Sequence, residues 1–170
     1  MKDSPSSPED LETLGEAYRE LLGKALRHAR QTDALLHHAI SEIRSELVAM
    51  GRVGEREIVQ LEQYLKRDLR DAAHYLGRTG RELADWLGFD VALTEEAFWN
   101  MFLEAANKTT AELLQLRIQA DAAGYHTGEM TGLGTLVCDH CSGSLSFYKP
   151  GHIPPCPSCH NTRFHRQSMT

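Results

Sequence analysis

Four cysteines are the residues of this chain whose type and spacing point to definite chemistry. They stand as Cys138-Asp-His-Cys141 and, after fourteen residues, Cys156-Pro-Ser-Cys159. Taken alone, Cys156-Pro-Ser-Cys159-His160 fits a redox pair, a c-type haem attachment signal or half of a zinc site. The doubled motif separates these readings. Haem attachment needs export and leaves the first pair without a role. A thioredoxin-like pair needs a βαβ surround, and the flanking sequence offers none. Two C-x-x-C pairs joined by a hairpin-length segment form a zinc ribbon, in which each pair is a tight knuckle holding two thiolates on one side of a turn. Four thiolates close the tetrahedral shell, so one zinc bound by Cys138, Cys141, Cys156 and Cys159 is structural rather than catalytic. His140 and His160 adjoin knuckle cysteines and make a Cys₃His shell the variant reading; solvated knuckle histidines are the plainer one.

The elements that must position these thiols are short. Gly134–Val137, Ser144–Tyr148 and Thr162–Arg166 read as the strands of the ribbon, with Gly143 letting a backbone N–H turn back toward sulfur after the first knuckle. Leu136, Val137, Leu145, Phe147, Tyr148, Ile153 and Phe164 are the apolar residues available there. A segment of about 40 residues does not normally fold on so small a core. Structural zinc, contributing roughly 10–16 kcal/mol, supplies the deficit.

Upstream, the sequence has helical punctuation and period. Ser7-Pro8-Glu9-Asp10 offers an N-cap, a first-turn proline and first-turn acids. Leu14, Tyr18, Leu21, Ala25 and Leu26 recur at helical spacing, and the period resumes at Leu36, Ile40, Ile43 and Leu47. Gly51-Arg-Val-Gly54 reads as a turn, after which Ile58, Leu61, Leu65, Leu69, Ala72 and Leu76 restart the stripe. This pattern predicts a long antiparallel helical hairpin. Its first arm would span about 65 Å if unbroken from 8 to 50, at ~1.5 Å per residue; Gly15, Gly23 and Thr32-Asp33 weigh against continuity. Gly77 should end the second arm, Thr79-Gly-Arg-Glu82 reads as a capping box for a short helix through Trp86, and a last helix carries Phe98, Phe102, Ala105 and Ala120. Residues 124–134, GYHTGEMTGLG, read as a linker, with His126 and Glu129 as linker residues.

Composition limits the possible functions. The net charge is −6, and residues 1–131 hold 15 basic against 23 acidic groups. So acidic a chain has no general attraction for nucleic acid. The start, MKDSPSSPEDLE, lacks the apolar stretch of a secretory signal, and no run of 18 apolar residues occurs, so a cytoplasmic protein off the membrane is expected. Phosphate loop, nucleophile elbow and HExxH are all missing from the sequence, which argues against an enzyme.

From Thr127 to Cys138 the chain reads TGEMTGLGTLVC and runs into both knuckles. Over residues 127–166 it resembles the bacterial zinc-ribbon-containing proteins of the YbeL-like family, and Trp86-Leu-Gly with the following helix is similar too. The resemblance implies an α-helical N-terminal region and a C-terminal Cys₄ ribbon in a cytoplasmic protein, with ligands at Cys138, Cys141, Cys156 and Cys159. It implies no reaction. The expected architecture is mainly α: a helical hairpin with further helices over 8–123, a linker over 124–134 and a small β zinc ribbon over 135–166. The expected function is a zinc-binding, non-enzymatic interaction protein, an adaptor or regulator with a protein partner. Self-association through the helices is a further possibility, and nucleic-acid or transcription-machinery binding is the alternative.

Overall fold

The computed structural model describes residues 8–49, 54–79, 82–116 and 124–167. It is mainly α with a small C-terminal sheet region, as the sequence predicts. Helix α1 runs Pro8–Thr32 and α2 runs Leu36–Ala49. The first arm is therefore not continuous. Asp33 adopts φ 56°, a left-handed conformation that aspartate tolerates better than most residues. α2 then folds back on α1, and His28 pairs with Glu42 across the turn. The first backbone N–H of α2, at Leu36, is capped from another helix by Glu112 Oε1 at 2.6 Å.

Helix α3, Glu55–Thr79, faces α2 through a polar cluster: Glu62 accepts from Ser41 at 2.6 Å, from Arg44 at 2.6 Å and from Lys66 at 2.7 Å. Gly77 does not end this helix, and the expected capping box runs through Gly80 and Arg81, which lie outside the described residues. α4, Leu83–Leu87, starts behind Glu82, whose side chain makes no capping bond. A 3-10 turn at Val91–Leu93 leads into α5, Glu96–Leu116. The expected turn over Met50–Val53 and the expected continuation of the last helix to Ala120 lie outside the described residues. The predicted stripes meet in one core, in which Tyr18, Leu21, Ile40, Leu65, Trp86, Phe98 and Phe102 are all at most 1% exposed. Trp86 stacks on Phe102 with centroids 5.6 Å apart.

Six strands follow: β1 Tyr125–His126, β2 Met130–Thr131, β3 Gly134–Cys138, β4 Ser144–Phe147, β5 Gly151–His152 and β6 Arg163–Arg166. They form an antiparallel sheet ordered β1-β6-β3-β4 and a separate β2-β5 pair. Residues 124–134 are thus not a linker in this fold, since they provide two strands and bury Tyr125, Met130 and Leu133. Their glycines serve close approach. A Cβ at Gly132 would sit 2.5 Å from Tyr18 Oη, and Gly134, at φ 128°, packs beneath the Arg166 guanidinium.

That guanidinium is the centre of the seam between helices and ribbon. Arg166 is 1% exposed and Asp68 is fully buried. Arg166 donates to Tyr125 Oη at 3.0 Å, Leu133 O at 2.9 Å, Asp68 Oδ1 at 3.3 Å and Thr131 Oγ1 at 2.9 Å. Its Cζ lies 4.5 Å from the centre of the Trp86 ring and 4.8 Å from that of Tyr125. Asp68 Oδ2 accepts from Tyr18 at 2.6 Å and from the Gly132 N–H at 2.8 Å, while Arg67 approaches Oδ1 at 3.2 Å. Tyr125 donates to Asp71. Asp68 thus takes its partners from both sides of the seam, Tyr18 and Arg67 from the helices and Arg166 and the Gly132 N–H from the ribbon, while Asp71 is hydrogen-bonded by Tyr125 of the ribbon.

Candidate metal centre

The two knuckles are built alike. In the first, Ser142 N–H donates to Cys138 O at 3.0 Å and Cys138 N–H to Gly143 O at 2.8 Å; in the second, His160 N–H donates to Cys156 O at 2.8 Å and Cys156 N–H to Asn161 O at 2.9 Å. The residue after each second cysteine takes a left-handed conformation, with φ 63° at Ser142 and 64° at His160. This doubled turn aims backbone donors at sulfur. His140 N lies 3.4 Å from Cys138 Sγ and Gly143 N lies 3.4 Å from Cys141 Sγ, with Asn161 Nδ2 3.6 Å from Cys138 Sγ.

Strands β3 and β6 carry the knuckles toward each other, and Phe164 pairs with Cys138 in register. The sulfurs of Cys138, Cys141, Cys156 and Cys159 all lie within 4.8 Å of one another. Cys138 and Cys159 are 3.6 Å apart, and Cys141 and Cys156 are 3.5 Å apart. A tetrahedron with Zn–S bonds of about 2.3 Å has edges of about 3.8 Å, so these residues fit zinc. A disulfide requires about 2.05 Å, and all four are free thiols. His140 and His160 are exposed and stand outside this sulfur cluster. His126 lies in β1 and Glu129 pairs with Arg67 at 2.8 Å, so Glu129 belongs to the seam.

Four thiols this close do not ionise alike. Burial opposes the Cys138 thiolate, yet the N–H groups of Cys141 and His140, helped by Cys159 and Asn161, bring Cys138 down to about 6. The N–H groups of Cys159 and Ser158 lower Cys156 as well. At Cys159 the Asn161 N–H favours the thiolate, but burial and the three neighbouring sulfurs prevail and push it up to about 12. Cys141 is likewise raised: the Gly143 N–H favours its thiolate, but Cys156, burial and Cys138 prevail. Without a cation the raised members, Cys141 and Cys159, keep their protons, and a divalent ion offsets the repulsion between thiolates that holds them there.

A family model described as a zinc-ribbon containing domain matches residues 24–168, nearly the whole chain. The chain belongs to this zinc-ribbon family. Its relatives include proteins named "Uncharacterized protein YbeL" from Escherichia coli strain K12 and from Escherichia coli O157:H7. Each is 27% identical over 151 residues, covering 88% of this chain and 93% of the relative. No solved structure matches. Family membership and the sulfur cluster together point to a structural zinc.

Sequence reasoning located all four cysteines but missed the seam. Little in the sequence marked it: at a helical period of ~3.6 residues Asp68 stands at the edge of the α3 stripe and Asp71 beyond it. Arg166 shares the inward face of β6 with Phe164, two residues before it.

Proposed function

We propose that this protein is a non-enzymatic zinc-binding interaction factor, an adaptor or regulator, in which one structural zinc per chain holds the ribbon in the shape that docks on the helices. The observation that carries this reading is the donor set of four sulfurs within 4.8 Å. A shell closed by four thiolates has no position left for water or substrate.

The buried titratable groups support the same reading. Burial, followed by the neighbouring Asp68 carboxylate, raises Tyr18 well above an ordinary phenol. Burial also raises Tyr125, and it raises Asp71 against the opposing hydrogen bond from Tyr125. Such shifts often mark catalytic groups. Here each of these groups is engaged by another side chain: Tyr18 by Asp68, and Tyr125 by Asp71 and Arg166.

Leu93 and Tyr148, 56% and 45% exposed, flank a groove of about 430 Å³ beside β4, the outer strand of its sheet. An extended protein segment laid there would pair with the free strand edge and cover both side chains. Affinity capture from native lysate tests this directly. A partner retained by the wild-type chain and lost with Leu93→Ser/Tyr148→Ser is the expected result. Equal recovery with both chains refutes this surface. Nanomolar, steeply salt-dependent binding of random nucleic acid in an anisotropy titration would replace the protein-partner reading with the nucleic-acid alternative.

A further inference from the structure

Helical periodicity places Lys66, Leu69 and Arg70 on the side of α3 opposite Arg67, Asp68 and Asp71. On that side α3 meets the start of α2 and the end of α5 around a cavity of about 220 Å³. This equals the volume of about seven water molecules at ~30 Å³ each. Leu36, Ile40 and Leu69 make its apolar part, and His37, Lys66 and Arg70 form a rim.

The charge around the cavity is opposite to that of the chain as a whole. Lys66 and Arg70 line the cavity against Glu112 alone, whereas the protein carries −6; Glu62 pairs with Lys66 from outside the lining. Both carboxylates are committed: Glu62 to Ser41, Arg44 and Lys66, and Glu112 to the Leu36 N–H. Arg70 is exposed and makes no hydrogen bond or ion pair among the described residues. Burial, and then the charges of Lys66, Arg70 and His38, lower His37 against the pull of Glu62. The rim is thus electropositive even next to a buried carboxylate.

We infer that this cavity binds a small amphipathic monoanion, a carboxylate on a short aliphatic or aromatic body, with the body against Leu36, Ile40 and Leu69 and the carboxylate on Arg70. A guanidinium fork matches a carboxylate two-to-two. One uncommitted guanidinium above an apolar floor suits a single negative charge with a hydrocarbon body better than a hydrated phosphate, which calls for several donors. This site is independent of the zinc and of the groove beside β4, and stands or falls separately from the function proposed above.

The test is a titration of the full-length zinc-loaded protein followed by amide resonances, with hexanoate, 1-hexanol and inorganic phosphate as probes. Hexanoate should produce saturable shifts concentrated in residues 35–40, 66–70 and 109–112, with at least ten-fold tighter binding than hexanol. Phosphate should leave these resonances in place. Arg70→Glu and Arg70→Met, changes at an exposed position, should bring hexanoate down to the level of hexanol, and Arg70→Lys should retain part of the preference. Shifts that never saturate, equal binding of acid and alcohol, a phosphate response equal to that of hexanoate, or a preference that survives Arg70→Glu would each overturn the assignment.

Discussion

Replacing Arg166 by methionine leaves a side chain of similar length with no charge and no donors. Asp68 Oδ1 then keeps only Arg67 at 3.2 Å, and the Leu133 carbonyl and Thr131 hydroxyl lose donors at 2.9 Å. Asp68 itself stays buried, at 0% exposure. Removing one partner of a buried ion pair costs about 3–5 kcal/mol, because the remaining charge is stranded. The Arg67 guanidinium and the stacking surface that methionine keeps between Trp86 and Tyr125 place the expected loss near the lower end, at about 3 kcal/mol. In a chain of this size ~1 kcal/mol moves the midpoint by about 2–4 °C, so a fall of roughly 6–12 °C should be seen. Thermal and urea unfolding, followed by helical circular dichroism on zinc-loaded protein, measures it. Asp68→Asn in the same chain should recover part of the loss, since it removes the stranded charge, and the double-mutant cycle should show coupling above about 1 kcal/mol. If Arg166→Met unfolds within about 1 kcal/mol of wild type, or if Asp68→Asn adds its full cost on top, the seam is not the electrostatic lock described here.

Stripping zinc with a chelator should lower the unfolding midpoint of the helices as well as release the ribbon, because Arg166 and Tyr125 leave the aspartates of α3 when β6 and β1 disengage; helical melting that ignores chelation would refute this coupling. Elemental analysis should find about one zinc per chain, and Cys138→Ser or Cys159→Ser should lose most of it, since three thiolates hold the ion poorly; full retention in both variants would exclude the assigned shell. Zinc uptake should strengthen as pH rises through neutrality, because Cys159, at about 12 in the metal-free cluster, and the raised Cys141 must give up protons to bind; calorimetry in buffers of different ionisation enthalpy should count about two protons released, and none would contradict it. Burial opposes the Glu62 carboxylate, but hydrogen bonds from Lys66 and Ser41 and the charges of Lys66 and Arg44 hold it below its ordinary value of 4.5. Its contribution is therefore complete above that value and lost as pH falls through the lower, folded one. Glu62→Gln should cost about 1.5 kcal/mol at pH 7, and the difference from wild type in urea unfolding should shrink on acidification; a gap that is constant or widens toward acid would count against it.

What the sequence showed and what it hid follow from the range of the interactions concerned. The knuckles were legible because a C-x-x-C turn is local: its donors and acceptors lie within five residues of each other. The helical stripes were legible for the same reason, Leu21 or Leu65 being buried through a period that repeats within one turn. The break after Thr32 was visible only as a weakness, since a helix cap from Glu112, 76 residues away, has no local signature. Residues 124–134 misled because glycine is used in two ways. Chain flexibility and close packing select the same residue, and only the position of Tyr18 over Gly132 tells them apart. The seam was the least visible part. Its charged members read as ordinary surface until Asp68 and Arg166 are known to meet.

The position of β6 between β1 and β3 has a consequence for how the protein is made. Asp68 and its partner Arg166 are 98 residues apart. At about 5–20 residues per second, a ribosome makes Asp68 roughly 5–20 seconds before it delivers Arg166. By the end of that interval α1 to α5 have all been made, yet Asp68 still lacks Arg166, Asp71 lacks Tyr125 until β1 docks, and the sheet lacks its inner strand. The nascent chain therefore passes through a half-built state whose completion waits on the last knuckle. Anything that withholds metal during synthesis prolongs the same state.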